Sequence, residues 1–305
     1  MSGSLDLSVN IGGITLKAPV TTASGTFSPR ESSQFYDISK LGAVTTKGVS
    51  TEPWEGNETP RIAETYGGML NAVGLQNPGI DAYIQTELPY LERFNVPVIA
   101  NVAGHTVWEY RQVVERLNDT SVAMVELNIS CPNVRAGGIG FGSDPGLAER
   151  VTSEVKRVAK KPVIVKLTPN VTDITEIARA VEDAGADAVS LINSLIGMRV
   201  DLKTRRPLLA NRTGGLSGPA IKPVALRMVY QVRRAIKIPI IGMGGIMSGE
   251  DAAEFLMTGA DMVAVGTAAL VNPTAPVDIL EELKQVMERE GFASIKEMQT
   301  AFEAE

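Results

Sequence analysis

Eight short apolar runs recur along the chain, separated by stretches of helical periodicity. This alternation constrains the fold more than any other feature. In order the runs are Pro19–Ser24, Ala43–Val49, Pro97–Ala103, Met124–Ile129, Pro162–Leu167, Ala188–Asn193, Pro239–Met243 and Met262–Val265. Most are rich in Val and Ile and apolar on both faces, as strands of a buried parallel sheet are. Helical patterns lie between them at Asp81–Phe94, Val107–Leu117, Pro145–Ala159, Asp173–Ala184, Lys222–Ile236 and Gly249–Met257, and Ala275–Glu290 follows the last run. Eight strands alternating with helices over roughly 250 residues predict an α/β chain of the (β/α)8, or TIM-barrel, class. Ala184-Gly185-Ala186-Asp187 and Thr258-Gly259-Ala260-Asp261 support it, each ending a helix at Gly shortly before a strand begins. A doubly wound open sheet is disfavoured, because no glycine-rich dinucleotide turn follows the first strand. The opening segment Leu5–Lys17, centred on Gly12-Gly13, predicts a β-hairpin plugging the bottom of the barrel. No repeat or interdomain linker is present, so residues 1–305 are expected to form a single domain.

Composition narrows the function. The 305 residues are 44% hydrophobic and 21% charged, with a net charge of -6 and no Lys/Arg run, which argues against a nucleic-acid partner. A single cysteine excludes an intrachain disulfide. With one His beside it, a zinc site of the usual ligand types and a Cys-ligated iron–sulfur cluster are excluded within this chain, and no metal site is expected. Met1 to Asn10 lacks the pattern of a signal peptide, and no apolar run approaches the roughly 20 residues that span a bilayer. A cytoplasmic location without a membrane partner is the expectation.

Three strand-to-helix connections are long: Ser50–Ile80, Ser130–Asp144 and Ser194–Gly218. All fall on the C-terminal face, where barrels of this class carry their chemistry. The strand ends there are polar. The first ends Ala23-Ser24-Gly25, the second Thr46-Lys47-Gly48 and the third at Asn101. The fourth carries Asn128 and then Cys131, the fifth Lys166, the sixth Asn193-Ser194, the seventh Gly244-Gly245 and the eighth Gly266-Thr267. Lys and Asn inside apolar strands are costly to bury unpaired, at roughly 1–3 kcal/mol for a polar group and more for a charge. Their clustering at one end of successive strands calls for a shared polar ligand. Gly244-Gly245 and Gly266-Thr267 offer bare backbone N–H groups where such barrels bind phosphate. Flavin mononucleotide (FMN), pyridoxal phosphate and a sugar phosphate all suit that pattern. Lys166 would offset charge developing on a flavin ring or, alternatively, form a Schiff base. The lone Cys131, between a polar strand end and Pro132, reads as a reactive thiol, with a buried inert thiol as its alternative. The glycine-rich Ala136–Gly140 would let the loop beyond it close over a substrate. His105 is expected at the surface or at a helix start, with a catalytic role as its alternative, and Trp54 and Trp108 in packing or at an interface.

Several phrases together resemble the dihydroorotate dehydrogenases, over nearly the whole class 1 catalytic chain. They are Thr22-Ala23-Ser24-Gly25, Thr46-Lys47-Gly48, Asn71-Ala72-Val73-Gly74-Leu75-Gln76-Asn77-Pro78-Gly79, Asn128-Ile129-Ser130-Cys131-Pro132-Asn133, Val165-Lys166-Leu167, Ile192-Asn193, Gly214-Gly215-Leu216-Ser217-Gly218 and Gly242-Met243-Gly244-Gly245-Ile246. The resemblance implies an FMN oxidoreductase of pyrimidine biosynthesis that converts (S)-dihydroorotate to orotate. It further implies flavin contacts at Ser24, Lys47, Gly48, Asn101, Asn128, Lys166, Ile192, Gly218, Gly244, Gly245, Gly266 and Thr267. Substrate contacts are implied at Lys47, Asn71, Ala72, Val73, Gly74, Leu75, Asn128, Asn193 and Ser194. Cys131 is implied as the base that takes the C5 proton while hydride leaves C6. Leu195-Ile196-Gly197-Met198 and Ala210-Asn211-Arg212-Thr213-Gly214-Gly215 look most like the NAD-dependent class 1B. That class implies a homodimeric core joined to an electron-transfer subunit carrying FAD and a 2Fe–2S cluster, as a heterotetramer. A fumarate-dependent class 1A homodimer and a dihydropyrimidine dehydrogenase-like reductase are the alternatives.

Overall fold

A computed structural model describes residues 5–130 and 140–302. Eight parallel strands form one sheet: Val20–Thr22, Val44–Thr45, Val98–Val102, Met124–Asn128, Val163–Lys166, Ala188–Leu191, Ile240–Met243 and Met262–Val265. Each lies inside one of the eight apolar runs. From the second strand to the eighth each pairs with its successor, and the eighth pairs with the first through Val263 and Val20. The remaining seam, between the first and second strands, has no paired ladder; beside one backbone bond from the Gly42 amide to the Val20 carbonyl at 3.0 Å, it is closed through side chains. Thr22 Oγ1 donates to the Thr45 carbonyl at 3.1 Å and accepts from the Thr45 amide at 2.9 Å. Thr21 and Thr45 hydroxyls meet at 3.2 Å. Buried threonines thus do at this seam what a backbone ladder does elsewhere.

Helices Val107–Leu117, Pro145–Lys156, Ile174–Asp183, Lys222–Arg233, Gly249–Met257 and Ala275–Glu290 cover the outside. Their starts follow capping chemistry: Thr106, Asp144, Asp173 and Ser248 each accept from a backbone N–H of the first turn, Ser248 in a reciprocal box with Asp251. Gly185 (φ +88°) and Gly259 (φ +122°) follow the ends of two of them in the left-handed region. The helix expected over Asp81–Phe94 is instead broken into Gly79–Ala82, a π turn at Tyr83–Glu87, and Leu88–Glu92. Pro89 has no N–H to continue an α ladder, and the Leu88 amide reaches back five residues to Tyr83.

The N-terminal hairpin is present, Val9–Ile11 against Ile14–Leu16. A Cβ on Gly12 would stand 2.8 Å from Pro162 and 3.3 Å from Asp187, residues that lead into the fifth and sixth strands. The hairpin therefore lies under the barrel, with Ile11 and Leu16 buried.

The long connections after the second and sixth strands hold secondary structure of their own. Ile62–Thr65, Gly68–Asn71, Thr213–Ser217 and Leu195–Met198 form a four-stranded antiparallel sheet. Its members come from opposite sides of the eight-stranded ring, so it spans the barrel mouth as a roof. Leu70, Ala72 and Leu209 form a small core against it, separate from that of the barrel.

Candidate active site

Between barrel and roof lies a cavity of about 290 Å³, close to the ~300–1,000 Å³ of small-molecule sites. The strand-end residues converge on it. Ser24, Lys47, Asn128, Lys166, Asn193, Ser194, Ile192, Gly244, Gly245, Gly266 and Thr267 line its floor and rim. Asn71, Val73, Gly74, Leu75 and Gly218 line it from the connections above. Lys166 is only 5% exposed, and its Nζ faces Ser24 Oγ at 3.5 Å. Strand polarity explains the convergence: in a parallel barrel all eight C-terminal ends open on one face.

Three residues expected at the ligand stand behind the cavity wall. Asn101 is fully buried, donating to Glu126 Oε1 at 2.6 Å and accepting from Asn128 Nδ2 at 3.5 Å. Gly48 packs on it, since a Cβ there would meet Asn101 Oδ1 at 2.8 Å. Ala72 is buried in the roof, its amide bonded to the Arg61 carbonyl. Cys131 lies outside the described residues, as do Pro132, Asn133 and 136–139. Its neighbour Ser130 is buried and donates to Asn128 Oδ1 at 2.9 Å, and Asn193 Nδ2 donates to the Ser130 hydroxyl and carbonyl at 2.9 and 3.1 Å.

The roof also contributes residues that sequence reasoning did not single out as contacts: Ile62, Met69, Gly215 and Ser217. Asn71 Nδ2 donates to the Gly215 carbonyl at 3.3 Å within the roof, and Thr267 Oγ1 donates to Ser217 Oγ at 2.8 Å, tying roof to barrel. Glu126 was missed as well. It is a carboxylate 2% exposed on the fourth strand, accepting on Oε2 from Ser190 at 2.7 Å. The signal was available, since Glu126 and Asn128 are alternate residues of one apolar strand and share a face. His105 precedes the helix that starts at Val107. Its ring packs against Trp54 at a 47° tilt with centroids 4.1 Å apart, away from the cavity lining. Trp108 is exposed.

The donor set suits a cofactor with a phosphate and a flat polar ring. Gly25 and Gly266 line the cavity with φ outside the left-handed region. A Cβ on Gly25 would meet no atom within 4 Å, and one on Gly266 only Ala23 at 3.4 Å. Neither needs to be glycine for the protein's own packing, so the space belongs to a ligand that approaches the backbone closely. Lysines and amides around that space provide cations and two-way hydrogen bonding. Among the described residues no group of three or more His, Cys, Asp or Glu is arranged to hold a metal, and no helix is long and apolar enough to cross a membrane.

A barrel with this cradle belongs to the class of phosphate-cofactor enzymes that work at the C-terminal strand ends. The family model described as dihydroorotate dehydrogenase matches residues 6–287, and the chain belongs to that family. It is 58% identical over 295 residues to the dihydroorotate dehydrogenase B (NAD(+)) catalytic subunit of Alkaliphilus metalliredigens, covering 96% of this chain and 98% of the relative. The proteins of the same description from Geotalea uraniireducens and Bacillus pumilus are 56% and 55% identical, covering 97% and 95% of this chain and 98% and 94% of theirs.

Proposed function

We propose that this chain oxidises (S)-dihydroorotate to orotate as the FMN-bearing catalytic subunit of an NAD-linked enzyme. The observation that carries the reading is the cavity on which Lys47, Asn71, Asn128, Lys166 and Asn193 converge beside glycines that leave room for a ligand. Bound FMN would supply the hydride acceptor for the C6 hydrogen. The protein supplies the rest. Gly244, Gly245, Gly266 and Thr267 would hold the phosphate through backbone N–H groups. Lys166, rising from the floor, would stabilise negative charge where it develops on the ring. Asn71, Asn128 and Asn193 read the amide edge of dihydroorotate, because a carboxamide both donates and accepts without adding charge. Lys47 is the cation for the substrate carboxylate. Cys131 is the base for the C5 proton, a role that rests on its place in the motif directly after Ser130. The roof excludes water from the reacting atoms.

The relatives' description as catalytic subunits supports a partner that passes electrons to NAD, with FAD and a 2Fe–2S cluster carried there and a homodimeric core completing a heterotetramer. Ile196, Met198, Val200 and Leu202, all exposed on or beside the roof, form the kind of apolar surface a partner covers. The deciding experiment is anaerobic titration of the purified yellow protein. Dihydroorotate should bleach the flavin band near about 450 nm and dihydrouracil should not. A colourless protein, or bleaching by dihydrouracil alone, would overturn the reading.

A further inference from the structure

We propose that Glu126 is a positioning residue: it fixes which way round the amides beneath the substrate present their donors and acceptors. The inference rests on the function above and goes beyond it. Glu126 sits one layer below the cavity with both oxygens in use, Oε1 accepting from Asn101 Nδ2 (2.6 Å) and Oε2 from Ser190 Oγ (2.7 Å). A carboxylate oxygen meets only a donor, so the NH2 end of Asn101 must face down and Oδ1 must face up. Oδ1 there receives Asn128 Nδ2 at 3.5 Å. Gly48 gives that end room, since any Cβ would crowd it at 2.8 Å. With its NH2 committed below, Asn128 turns Oδ1 to Ser130, accepting from its amide at 3.3 Å and its hydroxyl at 2.9 Å. The Ser130 hydroxyl has then used its proton and can only accept from Asn193 Nδ2.

Backbone groups pin the upper end of this column. Ser194 N–H donates to Asn193 Oδ1 at 2.8 Å, and the Ser130 carbonyl accepts from Asn193. Glu126 pins the lower end, and the two pins agree in polarity. A buried carboxylate is costly to desolvate unless its oxygens are hydrogen-bonded. Both oxygens of Glu126 are, and the one on Asn101 sets the polarity of the column. A glutamine in its place could turn its NH2 toward Asn101, invert that amide and set two NH2 groups against each other at Asn128.

The test uses the FMN-loaded enzyme and orotate, with binding read from the perturbation of the flavin spectrum. Glu126→Gln should weaken orotate binding about tenfold or more while FMN content stays at wild type. The exchanged pair, Asn101→Asp combined with Glu126→Gln, keeps every bond of the column. Only the donor and acceptor roles between positions 101 and 126 are swapped, and orotate binding should return to within about threefold of wild type. Ser190→Ala releases the other carboxylate oxygen without touching the column and should bind orotate as wild type does. Glu126→Gln binding within twofold of wild type would overturn the proposal. So would an exchanged pair that folds but binds no better than Glu126→Gln, or a Ser190→Ala as weak as Glu126→Gln. The exchanged pair carries the test even where Glu126→Gln does not accumulate. Hydrogen exchange of the Asn101 side-chain amide needs no ligand: protection that is lost in Glu126→Gln supports the pin, and unchanged protection removes it. A wild type that ignores orotate would instead count against the function reading.

Discussion

The floor and the roof of the cavity are built on different physics. The floor is the ends of barrel strands, where Asn101, Asn128, Glu126 and Lys166 are almost wholly buried and held by one another or by neighbouring strands. The roof is a thin antiparallel sheet with a small core, Leu70, Ala72 and Leu209, and it leaves Ile62, Ile196 and Met198 more than half exposed. A floor of this kind fixes charge and hydrogen-bond polarity, while a roof of this kind fixes shape and excludes water. Substitutions should therefore separate into those that change chemistry and those that change fit.

The sharpest separation comes from Cys131→Ala, which should alter neither floor nor roof. It should keep FMN and lose about 10²- to 10⁴-fold in turnover, the usual worth of a general base, by steady-state assay. Undiminished turnover would remove Cys131 from the mechanism. Next is Lys166→Ala in the floor, with flavin bleaching by dihydroorotate slowed about 10²- to 10³-fold in stopped flow, or FMN lost outright. A yellow, fully active variant would break the assignment of charge stabilisation to the floor.

Stability should divide the same way. Leu127→Ala, in the large core that the barrel shares with its helices, should cost about 2–5 kcal/mol in urea unfolding, and Leu70→Ala in the roof should fall at the low end of that range. Equal losses would mean that the roof is no weaker than the barrel. Gly215→Ala tests fit directly, because its Cβ would stand 1.9 Å from Ser194 Oγ and 2.7 Å from Ser194 Cβ. Orotate binding should weaken about tenfold, or ~1.4 kcal/mol, at unchanged FMN content. The smallest expected structural effect is that of Gly25→Ala, where a Cβ meets nothing. The FMN-free chain should melt as wild type does, while FMN binds more weakly. A drop in the melting point of the FMN-free chain would show that the glycine serves the fold rather than the ligand.

What was legible in the chain follows the same division. Each floor residue announces itself as a polar side chain in an apolar strand, and the barrel count places it on the catalytic face. Glu126 carried the same mark as Asn128. The roof gave no such signal. Gly68–Asn71 and Thr213–Ser217 are short, glycine-containing and paired across a wide sequence separation, so neither shows a local period that marks a strand. The threonine seam was hidden for a related reason, since Thr22 and Thr45 suit an ordinary strand and only their meeting across the ring reveals their bonds. The broken helix at Tyr83–Glu87 was marked by Pro89, whose missing N–H outweighs the apolar period around it.

The roof also orders events in time. The Asn71 side chain bonds to Gly215, 144 residues away, and Leu70 pairs with Leu216. A chain emerging from the ribosome can assemble its early strands and still have no lid over them, because the second half of the lid is made only after the sixth strand. Contacts of such long sequence separation form slowly. Ligand-binding competence should therefore arrive late, as one of the last steps of folding, and a nascent or truncated chain that has not reached Thr213–Ser217 would have an open bowl in place of the finished chamber.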